Sequence, residues 1–402
     1  MFEAKQLNRK PPHLLSMMLL SVFAVMGALV MTPSLPRIAT YFQVSIGDSQ
    51  LAVTCFLAGY AFGQLLYGPL ANRYGRRPAF YIGIVLATLG SLFSILSSPF
   101  ESFPLLIFGR FLEAVGSSAG LVVSITVIND FYTPRGVRQT MAWIMLAFSV
   151  MPGIAIFLGG FFAQYLQWQA CFYFLLFYGL FLFIPVWLLP ETIEFKDLEA
   201  LHRRHLISKY LAAAKNKYLI AFAAIAGFSS ALLYVYGAEG PFIGIKMLGL
   251  RAATYGMLAL TPYIGTLVGS LINSRLSDFN TKKVLIFGFL LELTGTVLML
   301  LSFSAGWVSI WTLLILMAFL CTGHAFVIPA AYSLAMEQAK DKSNGAAILG
   351  FVNMFVPVVI TLLLGLLHVA AAWIMPLLFL VSLLLMALTY LIISVSKKRV
   401  LN

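Results

Sequence analysis

A short basic segment between two long apolar runs most constrains how this chain can fold. Residues 68–78 read Gly-Pro-Leu-Ala-Asn-Arg-Tyr-Gly-Arg-Arg-Pro, and the apolar runs Leu51–Leu70 and Ala79–Leu96 flank them. An arginine at the centre of a lipid bilayer costs at least about 2.5 kcal/mol. The segment is therefore predicted to be a water-exposed turn between two membrane-spanning helices. Its three arginines predict that the turn faces the cytoplasm.

Composition excludes a soluble globular protein and argues against nucleic acid as a partner. Apolar residues make up 61% of the 402 residues and charged residues only 10%, whereas soluble domains carry about 25%. The net charge of +12 lies in short loops and forms no basic face or nucleic-acid-binding module. Cys55, Cys171 and Cys321 fall within apolar runs and lack metal or redox spacing, so we expect no metal and no cofactor.

Twelve apolar runs are long enough to cross a membrane, which takes about 20 residues per helix. They are Leu14–Thr32, Leu51–Leu70, Ala79–Leu96, Leu105–Asn129, Met141–Ala163, Ala170–Leu189, Tyr218–Gly237, Ala252–Ile272, Val284–Ser302, Trp307–Ala335, Ala346–Leu367 and Trp373–Val395. The first run exceeds a signal-peptide core and lacks a clear cleavage site, so we expect it to remain as the first span. The predicted fold class is all-α, a polytopic membrane protein.

The distribution of Lys and Arg predicts the orientation. All of them except Arg37, Arg110, Lys246 and Arg251 fall at the two termini or in the alternate loops on one side. Because positively charged loops stay in the cytoplasm, both termini are predicted to be cytoplasmic. We expect a multi-pass protein of the cell inner membrane.

The chain is predicted to consist of two halves with six spans each. The longest connection is rich in charge and is expected to be a solvated linker or an amphipathic helix on the lipid headgroups. A weak repeat aligns Asn72–Arg77 with Asp278–Lys283, and Asp130 at the end of span four with Glu337 at the end of span ten. Paired halves around a site at mid-membrane are typical of transporters. The predicted domains are 1–190 and 218–402, joined by a cytoplasmic linker at 191–217.

No catalytic constellation is present, so the chain is not expected to be an enzyme. The histidines have no partners at metal-ligand spacing, and there is no serine nucleophile elbow or phosphate-binding loop. Charged residues inside spans are expensive to bury and usually functional. Arg110 and Glu113 lie three residues apart in span four, close enough on one helix face to pair. Displacing Glu113 from Arg110 would favour its protonation and couple transport to protons; the alternative is a static pair that fixes helix packing.

Three other polar residues in or near the spans each have two interpretations. Glu239 lies where span seven leaves the membrane, either as a proton or cation site or as a hydrated loop carboxylate. Glu292, near the middle of span nine, is a transport residue or, as we expect, a neutral group that packs against or hydrogen-bonds to a neighbouring helix. His324 in span ten faces a cavity or hydrogen-bonds within the bundle.

Asp130 is predicted to take part in an ion pair at the cytoplasmic end of span four. An acid at the carboxyl end of a helix opposes the helix dipole and needs a positive partner. Arg135 and Arg138 follow directly and are the expected partners. Such a pair would lock the cytoplasmic side in one conformation and release it in another.

A series of motifs runs from Thr32 to Phe172. The segments are Pro33-Ser-Leu-Pro36, Gln50, Phe56–Gln64, Gly68–Pro78, Gly109–Gly116, Asn129–Phe131, Leu158–Gly160 and Trp168–Phe172. In this order they resemble the major facilitator superfamily and, within it, the Bcr/CflA-type drug:proton antiporters. The second half is similar mainly in topology.

This resemblance implies two pseudo-symmetric six-helix bundles that rock about a central cavity lined by spans one, four, seven and ten. It implies a role for Arg110 in proton coupling, with Glu113 at a position where relatives often have glutamine; Glu239 is our further candidate for this role. The turn after span two would form a latch on the cytoplasmic side. Its predicted residues are Gly68, Asn72, Arg73, Gly75, Arg76, Arg77, Asp130 and Arg138.

The chain departs from the family pattern at three places. Asn72 replaces the usual aspartate of the latch motif. Span one has Leu29 and Val30 where an acidic residue is expected. The antiporter motif of span five reads Ala155–Gly160 and lacks its proline, although Pro152 lies one turn earlier.

The leading functional hypothesis is a secondary transporter that exports amphipathic organic compounds by proton antiport, working as a monomer in the lipid bilayer. The predicted substrate cavity contains Tyr60, Gln64, Tyr234, Tyr236, His324 and Asn353. The three departures motivate an alternative, in which the protein imports or exports one metabolite or metal chelate, such as a siderophore, without proton antiport. A non-transporting membrane sensor is a third hypothesis.

Overall fold

The computed structural model describes residues 12–193, 195–276, 279–339, 341–367 and 371–401. Asp278, which the predicted internal repeat uses, lies outside the described residues, as does the basic segment at residues 1–11. The aligned repeat is therefore described only in part.

The described residues contain twelve helices that are long and apolar enough to cross a membrane. We number them α1 to α12 and name the short helix Arg203–Ala214 the linker helix. The twelve are α1 Leu14–Phe42, α2 Ile46–Tyr74, α3 Arg76–Leu96, α4 Phe103–Phe131, α5 Pro134–Tyr165, α6 Ala170–Leu188, α7 Lys217–Met247, α8 Ala252–Ser274, α9 Thr281–Ser304, α10 Ile310–Gln338, α11 Lys342–Leu366 and α12 Ile374–Leu401. The predicted number and order of spans are confirmed.

The turn between α2 and α3 is shorter than the predicted segment 68–78. Helix α2 continues through Gly68 and Pro69 as far as Tyr74, and α3 begins at Arg76. Only Gly75 breaks the helix, with φ +113°, a backbone conformation that favours glycine. The basic residues therefore project from two helix ends rather than from a long loop.

Helix α7 is longer than the predicted span, which ended at Gly237. Its α-helical part reaches Pro241, and a π-helical turn Phe242–Met247 follows. Proline lacks a backbone donor and breaks the regular hydrogen-bond ladder, which accounts for the change of helix type at this point. Glu239 therefore lies within a helix.

Polar side chains begin several helices where the chain leaves the apolar layer. Ser45 and Asp48 form a reciprocal capping box at the start of α2, in which the Asp48 N–H donates to Ser45 Oγ at 3.0 Å. Asn216 caps α7 and Asp341 caps α11 through their side-chain oxygens. These caps satisfy backbone donors that the helix itself leaves free.

The helices pack into two groups, α1–α6 and α7–α12, which meet mainly along α2 with α11 and α5 with α8. Each group holds pairs of neighbouring helices in extensive contact, above all α3 with α4 and α9 with α10. This arrangement agrees with the predicted six-plus-six bundles. The domain boundaries at 190 and 218 stay predictions.

We call the end of the bundle that carries the Tyr74–Arg76 turn the basic end, and the end that carries the turn between α1 and α2 the far end. At the far end, Gly160 of α5 packs against Gly256 of α8 so closely that a Cβ on Gly160 would lie 2.5 Å from the Ala252 carbonyl oxygen. Such approach of two backbones requires residues without side chains. The two halves are thus closed against each other at the far end.

The linker helix connects the halves at the basic end. It packs against α11, and the Tyr210 hydroxyl donates to the Leu65 carbonyl of α2 at 2.6 Å. The linker helix therefore lies against the bundle, and the predicted position of such a helix on the lipid headgroups stays a prediction.

Candidate functional site

Arg110 and Glu113 form an ion pair in the interior of the first half. Both side chains are fully buried, and Arg110 Nη1 lies 2.8 Å from Glu113 Oε2. The spacing of three residues on α4 brings the two groups to the same helix face, as the sequence predicted. Removing one partner of such a buried pair costs about 3–5 kcal/mol, so both groups depend on each other.

Arg110 has further acceptors on neighbouring helices. Its Nη2 donates to the Gly27 carbonyl of α1 at 2.8 Å, and its Nε donates to the Ala52 carbonyl of α2 at 3.3 Å. The guanidinium carbon lies 4.3 Å from the centre of the Phe56 ring and 5.7 Å from that of Phe172. These contacts tie α1, α2, α4 and α6 together around one cation.

Glu113 uses only one of its carboxyl oxygens. Oε2 receives the Arg110 bond, whereas Oε1 is buried and has no hydrogen-bond partner in the described part of the chain. A buried acceptor without a partner is unfavourable unless a proton or another donor satisfies it. The pair is therefore incompletely satisfied on its acidic side.

Glu239 is buried between the two halves. Only 5% of its surface is exposed, and Gln50 Nε2 of α2 donates to Glu239 Oε2 of α7 at 2.5 Å. Of the two interpretations drawn from the sequence, the hydrated loop carboxylate is wrong, because α7 extends beyond Glu239 and buries it. The carboxylate instead joins one half to the other near the far end.

A group of tyrosines lies where the halves meet near the middle of the bundle. Tyr60 of α2 lies beside Tyr234 of α7 and Tyr332 of α10, and Gln64 follows one turn later on α2. Gln64 also lies against Gly350 of α11. The structure thus brings together three of the predicted cavity residues and adds Tyr332, which sequence reasoning missed because tyrosines in spans give no signal of their own.

The other predicted cavity residues lie within the second half. Tyr236 is completely buried beside Tyr255 and Tyr263 of α8. Asn353 of α11 is buried and accepts a hydrogen bond from Ser230 of α7. Tyr263 also lies near Tyr234, so these residues adjoin the Tyr60 group from the side of the second half.

His324 also lies within the second half and belongs to a different polar group. Its Nδ1 is 2.9 Å from Ser229 Oγ of α7, and the side chain is half-buried. The Ser229 hydroxyl also donates to Glu292. Glu292 thus has the hydrogen bond to a neighbouring helix that the sequence led us to expect.

At the basic end, Asp130 pairs with Arg76. Arg76 Nε lies 2.8 Å from Asp130 Oδ2, and the Thr192 hydroxyl donates to the same oxygen at 2.8 Å. The prediction that Arg138 pairs with Asp130 is wrong: Arg138 is exposed at the start of α5 and forms no ion pair with Asp130 in the described structure. Arg76 takes this place because the α2–α3 turn directs its side chain toward the end of α4.

Glu191 is a second acidic residue at this end that sequence reasoning missed. Its carboxylate accepts the backbone N–H groups of Arg76 at 2.9 Å and Arg77 at 3.1 Å, at the first turn of α3. Negative charge is favourable at a helix amino end. The available signal was an acid directly after span six, on the same side as the arginines.

The remaining predicted latch residues contact the linker or the chain nearby. The Asp197 N–H donates to the Asn72 carbonyl at 3.0 Å, and the Arg73 guanidinium donates to the Leu198 carbonyl. Arg77 Nη2 donates to the Trp187 carbonyl at the end of α6 at 3.1 Å. A Cβ on Gly68 would meet open space.

No group of three or more His, Cys, Asp or Glu residues capable of holding a metal ion occurs among the described residues. The ionisable residues in the spans pair with amide, hydroxyl, imidazole or guanidinium groups instead. The site therefore offers proton-binding and hydrogen-bonding chemistry.

Comparisons with known proteins agree with this architecture. The family model of the Major Facilitator Superfamily matches residues 17–239 and 240–401. The chain is 27% identical to multidrug resistance protein D of Escherichia coli, over 81% of this chain and 80% of that protein. It is 26% identical to a bicyclomycin resistance protein homolog of Haemophilus influenzae, over 65% of each.

A solved structure has the same fold. The xylose transporter XylE from E. coli, in a partially occluded inward-open conformation, superposes with a TM-score of 0.73 at 14% identity, over 93% of this chain and 96% of that one. The predicted superfamily and fold class are thus confirmed. The chain belongs to the major facilitator superfamily and is a membrane transporter.

Proposed function

We propose that this transporter exports amphipathic organic compounds in exchange for protons and that the Arg110–Glu113 pair is its proton-coupling site. The observation that carries the proposal is a fully buried acid whose cationic partner has several other acceptors. A proton site of this kind has two requirements. The acid must favour binding of a proton, and its cationic partner must keep other hydrogen-bond acceptors once the acid is neutral.

Arg110 supplies the second requirement. When Glu113 takes up a proton, the guanidinium keeps its bonds to the Gly27 and Ala52 carbonyls and its contact with the Phe56 ring. The cation is therefore not left without partners when the carboxyl becomes neutral. Glu113 Oε1, which has no partner in the described chain, is the oxygen that would take the proton.

The contact of the pair with α1 provides a link to conformational change. Arg110 bonds to α1 and α2 simultaneously, so a change in the charge of Glu113 alters the forces that hold α4 against both helices. Glu239 would respond to the same proton gradient. Its carboxylate accepts the hydrogen bond from Gln50 that joins the two halves, and a protonated carboxyl is a weaker acceptor, so this bond weakens when Glu239 is protonated. We propose that Glu239 acts as a second coupling residue.

The region around Tyr60, Tyr234 and Tyr332 is the proposed binding region for the organic substrate. The three rings come from α2, α7 and α10, so both halves contribute to one aromatic group. Aromatic rings bind flat apolar molecules, and Gln64 beside them offers hydrogen bonds. Tyr236, His324 and Asn353 remain proposed for this cavity in other conformations of the protein.

The relatives support export of drug-like compounds. Two of them are named as multidrug resistance and bicyclomycin resistance proteins, in keeping with the Bcr/CflA-type resemblance. We further propose that the basic end faces the cytoplasm, as the charge distribution predicts, in an inner membrane. Arg76, Asp130 and Glu191 would then form the cytoplasmic latch.

Transport of one metabolite or metal chelate without proton antiport is the second candidate. Leu29 and Val30 of α1 are buried apolar residues at the place where the family resemblance implies an acid. Among the described residues of α1–α6, Glu113 is therefore the one buried acid. If Glu113 forms only a static pair, no proton coupling remains in that half.

Transport in vesicles with and without a pH gradient tests the proposal. Purified protein and Glu113→Gln are reconstituted, and efflux of a panel of fluorescent amphipathic dyes is followed. We expect native protein to move dye against its gradient when a proton gradient is imposed, whereas Glu113→Gln moves dye only downhill and independently of pH. Glu101→Gln, at an exposed turn, is the matched control. The same pH dependence in Glu113→Gln would contradict the role of the pair, and saturable uptake of a ferric chelate without protons would favour the second candidate.

A further inference from the structure

We propose that Glu292, Ser229 and His324 form a second proton-binding site, located in the second half and independent of the Arg110–Glu113 pair. The three residues come from α9, α7 and α10. The Ser229 hydroxyl donates to Glu292 Oε1 and lies 2.9 Å from His324 Nδ1, so one serine bridges the acid and the imidazole.

A serine in this position can pass a proton between the two groups. With Glu292 protonated, its hydroxyl donates to Ser229 Oγ, and the Ser229 hydroxyl donates to His324 Nδ1. Transfer of both protons in the same direction leaves Glu292 ionised, Ser229 unchanged as a hydroxyl, and His324 as an imidazolium. No atom or charge is lost, and the neutral pair becomes an ion pair across the serine.

The site can also release its proton. The proton on His324 Nε2 leaves from the imidazolium and returns His324 to a neutral tautomer with Nδ1–H donating to Ser229. Glu292 is then a buried carboxylate that has the Ser229 hydroxyl as a hydrogen-bond donor but no cation beside it, which is unfavourable. The group therefore binds a proton whenever one can reach it.

Among the described residues, no Lys or Arg forms an ion pair with Glu292. The titratable groups that face it are the Cys321 thiol and, through Ser229, the His324 imidazole, both on α10. Helix α7 faces it with Ser229, and α12 has no charged residue in its described part up to Val395. Within the described α7–α12, Lys and Arg lie only near helix ends. Glu292 Oε2 has no hydrogen-bond partner in the described chain and stays available to a proton.

The site lies at a junction of helices. Glu292 is fully buried, whereas His324 is half-buried on α10. The next residue of α7, Ser230, bonds to Asn353 of α11. A change of charge on His324 therefore acts on the contact between α7 and α10, two of the helices that surround the middle of the bundle.

Spectroscopy on the purified substrate-free protein tests this site without any transport assay, so its failure is distinguishable from failure of the proposed antiport. The protein in lipid nanodiscs is labelled with isotopic histidine, and the imidazole signals are followed by NMR across the neutral pH range. Infrared difference spectra follow protonated carboxyl groups over the same range. We expect the imidazolium signal of His324, identified as the one lost in His324→Gln, and the Glu292 carboxyl band to be lost together, at one midpoint, as the pH is raised, because both report the same shared proton.

Variants distinguish a proton relay from a structural hydrogen bond. In Glu292→Gln, His324 is expected to stay neutral throughout, and in Ser229→Ala the two groups are expected to titrate separately. Ser230→Ala, one residue along α7, is the matched control and leaves both signals unchanged. A His324 response that persists in Glu292→Gln would overturn the proposal. If Glu292→Gln does not fold, His324→Gln provides the test. A Glu292 carboxyl band with the same pH dependence in His324→Gln as in the native protein would also overturn the proposal.

Discussion

Arg76 holds several elements together at the basic end of the bundle. Its guanidinium bonds to Asp130 at 2.8 Å and to the Ala71 carbonyl at 3.0 Å. Removing it leaves the Asp130 carboxylate with the Thr192 hydroxyl but without its cation, and hydrogen bonds to charged groups contribute about 1.5–3 kcal/mol each. We expect Arg76→Ala to lower the free energy of unfolding by about 2–4 kcal/mol, given the partial exposure of Asp130, measured by thermal unfolding in detergent.

Arg138→Ala is the matched control for this prediction. Arg138 was one of the two partners, with Arg135, that the sequence suggested for Asp130, yet it is exposed, so its removal should change stability by less than about 0.5 kcal/mol. Equal losses in the two variants would contradict the observed pairing. Arg138 was suggested as a partner because it lies close to Asp130 in the sequence. The observed partner, Arg76, lies 54 positions from Asp130, and the sharp turn at Gly75 brings it to the end of α4.

The Arg110–Glu113 pair could be predicted because both residues lie on one helix, where spacing determines proximity. The bonds from Arg110 to the Gly27 and Ala52 carbonyls could not, because carbonyl positions depend on how α1 and α2 pack. The same holds for Ser229, a small residue that gained importance only through its position between Glu292 and His324.

At the scale of single elements, the cap of α11 depends on one acidic side chain. Asp341 accepts the backbone N–H groups of Ser343 at 3.0 Å and Asn344 at 3.2 Å. Burial alone would raise the pKa of Asp341, but the hydrogen bonds from Asn344 and Ser343 outweigh it and lower the pKa from its ordinary value. We expect Asp341→Ala to cost about 1 kcal/mol of stability at neutral pH.

The pH dependence of this cap has a definite sign. Because the pKa of Asp341 is lower in the folded protein, the cap stabilises the protein at neutral pH and loses this effect as the pH falls through the lowered value. Asp341→Asn keeps a capping oxygen that does not titrate, so its stability should not share this acid-sensitive part. Thermal unfolding of the three proteins down to acidic pH measures the difference, and an identical acid dependence in Asp341→Asn would contradict it.

The spans themselves were predictable because hydropathy over about 20 residues dominates insertion into a bilayer. The ends of the helices were less predictable from the sequence. Helix α2 runs past Gly68 and Pro69 into the basic segment, and α7 runs past Gly237, since polar ends of a membrane helix continue beyond the apolar layer that the hydropathy pattern detects. This extension changed the setting of Glu239 from a loop to a buried contact between halves.

At the scale of the whole molecule, the two halves close on each other from the far end toward the middle. Thr54 of α2 donates to Thr361 of α11 at 3.0 Å, and Gly160 packs against Gly256. Neither contact has a sequence signal, because the residues that meet across the halves lie on different helices and far apart in the chain, 307 positions apart for Thr54 and Thr361. An alternating-access cycle requires these contacts to separate, which makes them a direct test of motion.

A disulfide between the halves should therefore stop transport. The Thr54 and Thr361 oxygens lie close enough that Thr54→Cys/Thr361→Cys, with the native cysteines replaced, can cross-link α2 to α11. We expect oxidation to abolish dye transport in vesicles and reduction to restore it. Ser34→Cys, with Cys171 retained as its partner 3.5 Å from the Ser34 oxygen, cross-links α1 to α6 within one half and should leave transport intact. Transport that continues in the oxidised Thr54→Cys/Thr361→Cys protein would show that the halves need not separate along α2 and α11, and the contacts at the far end would then be static.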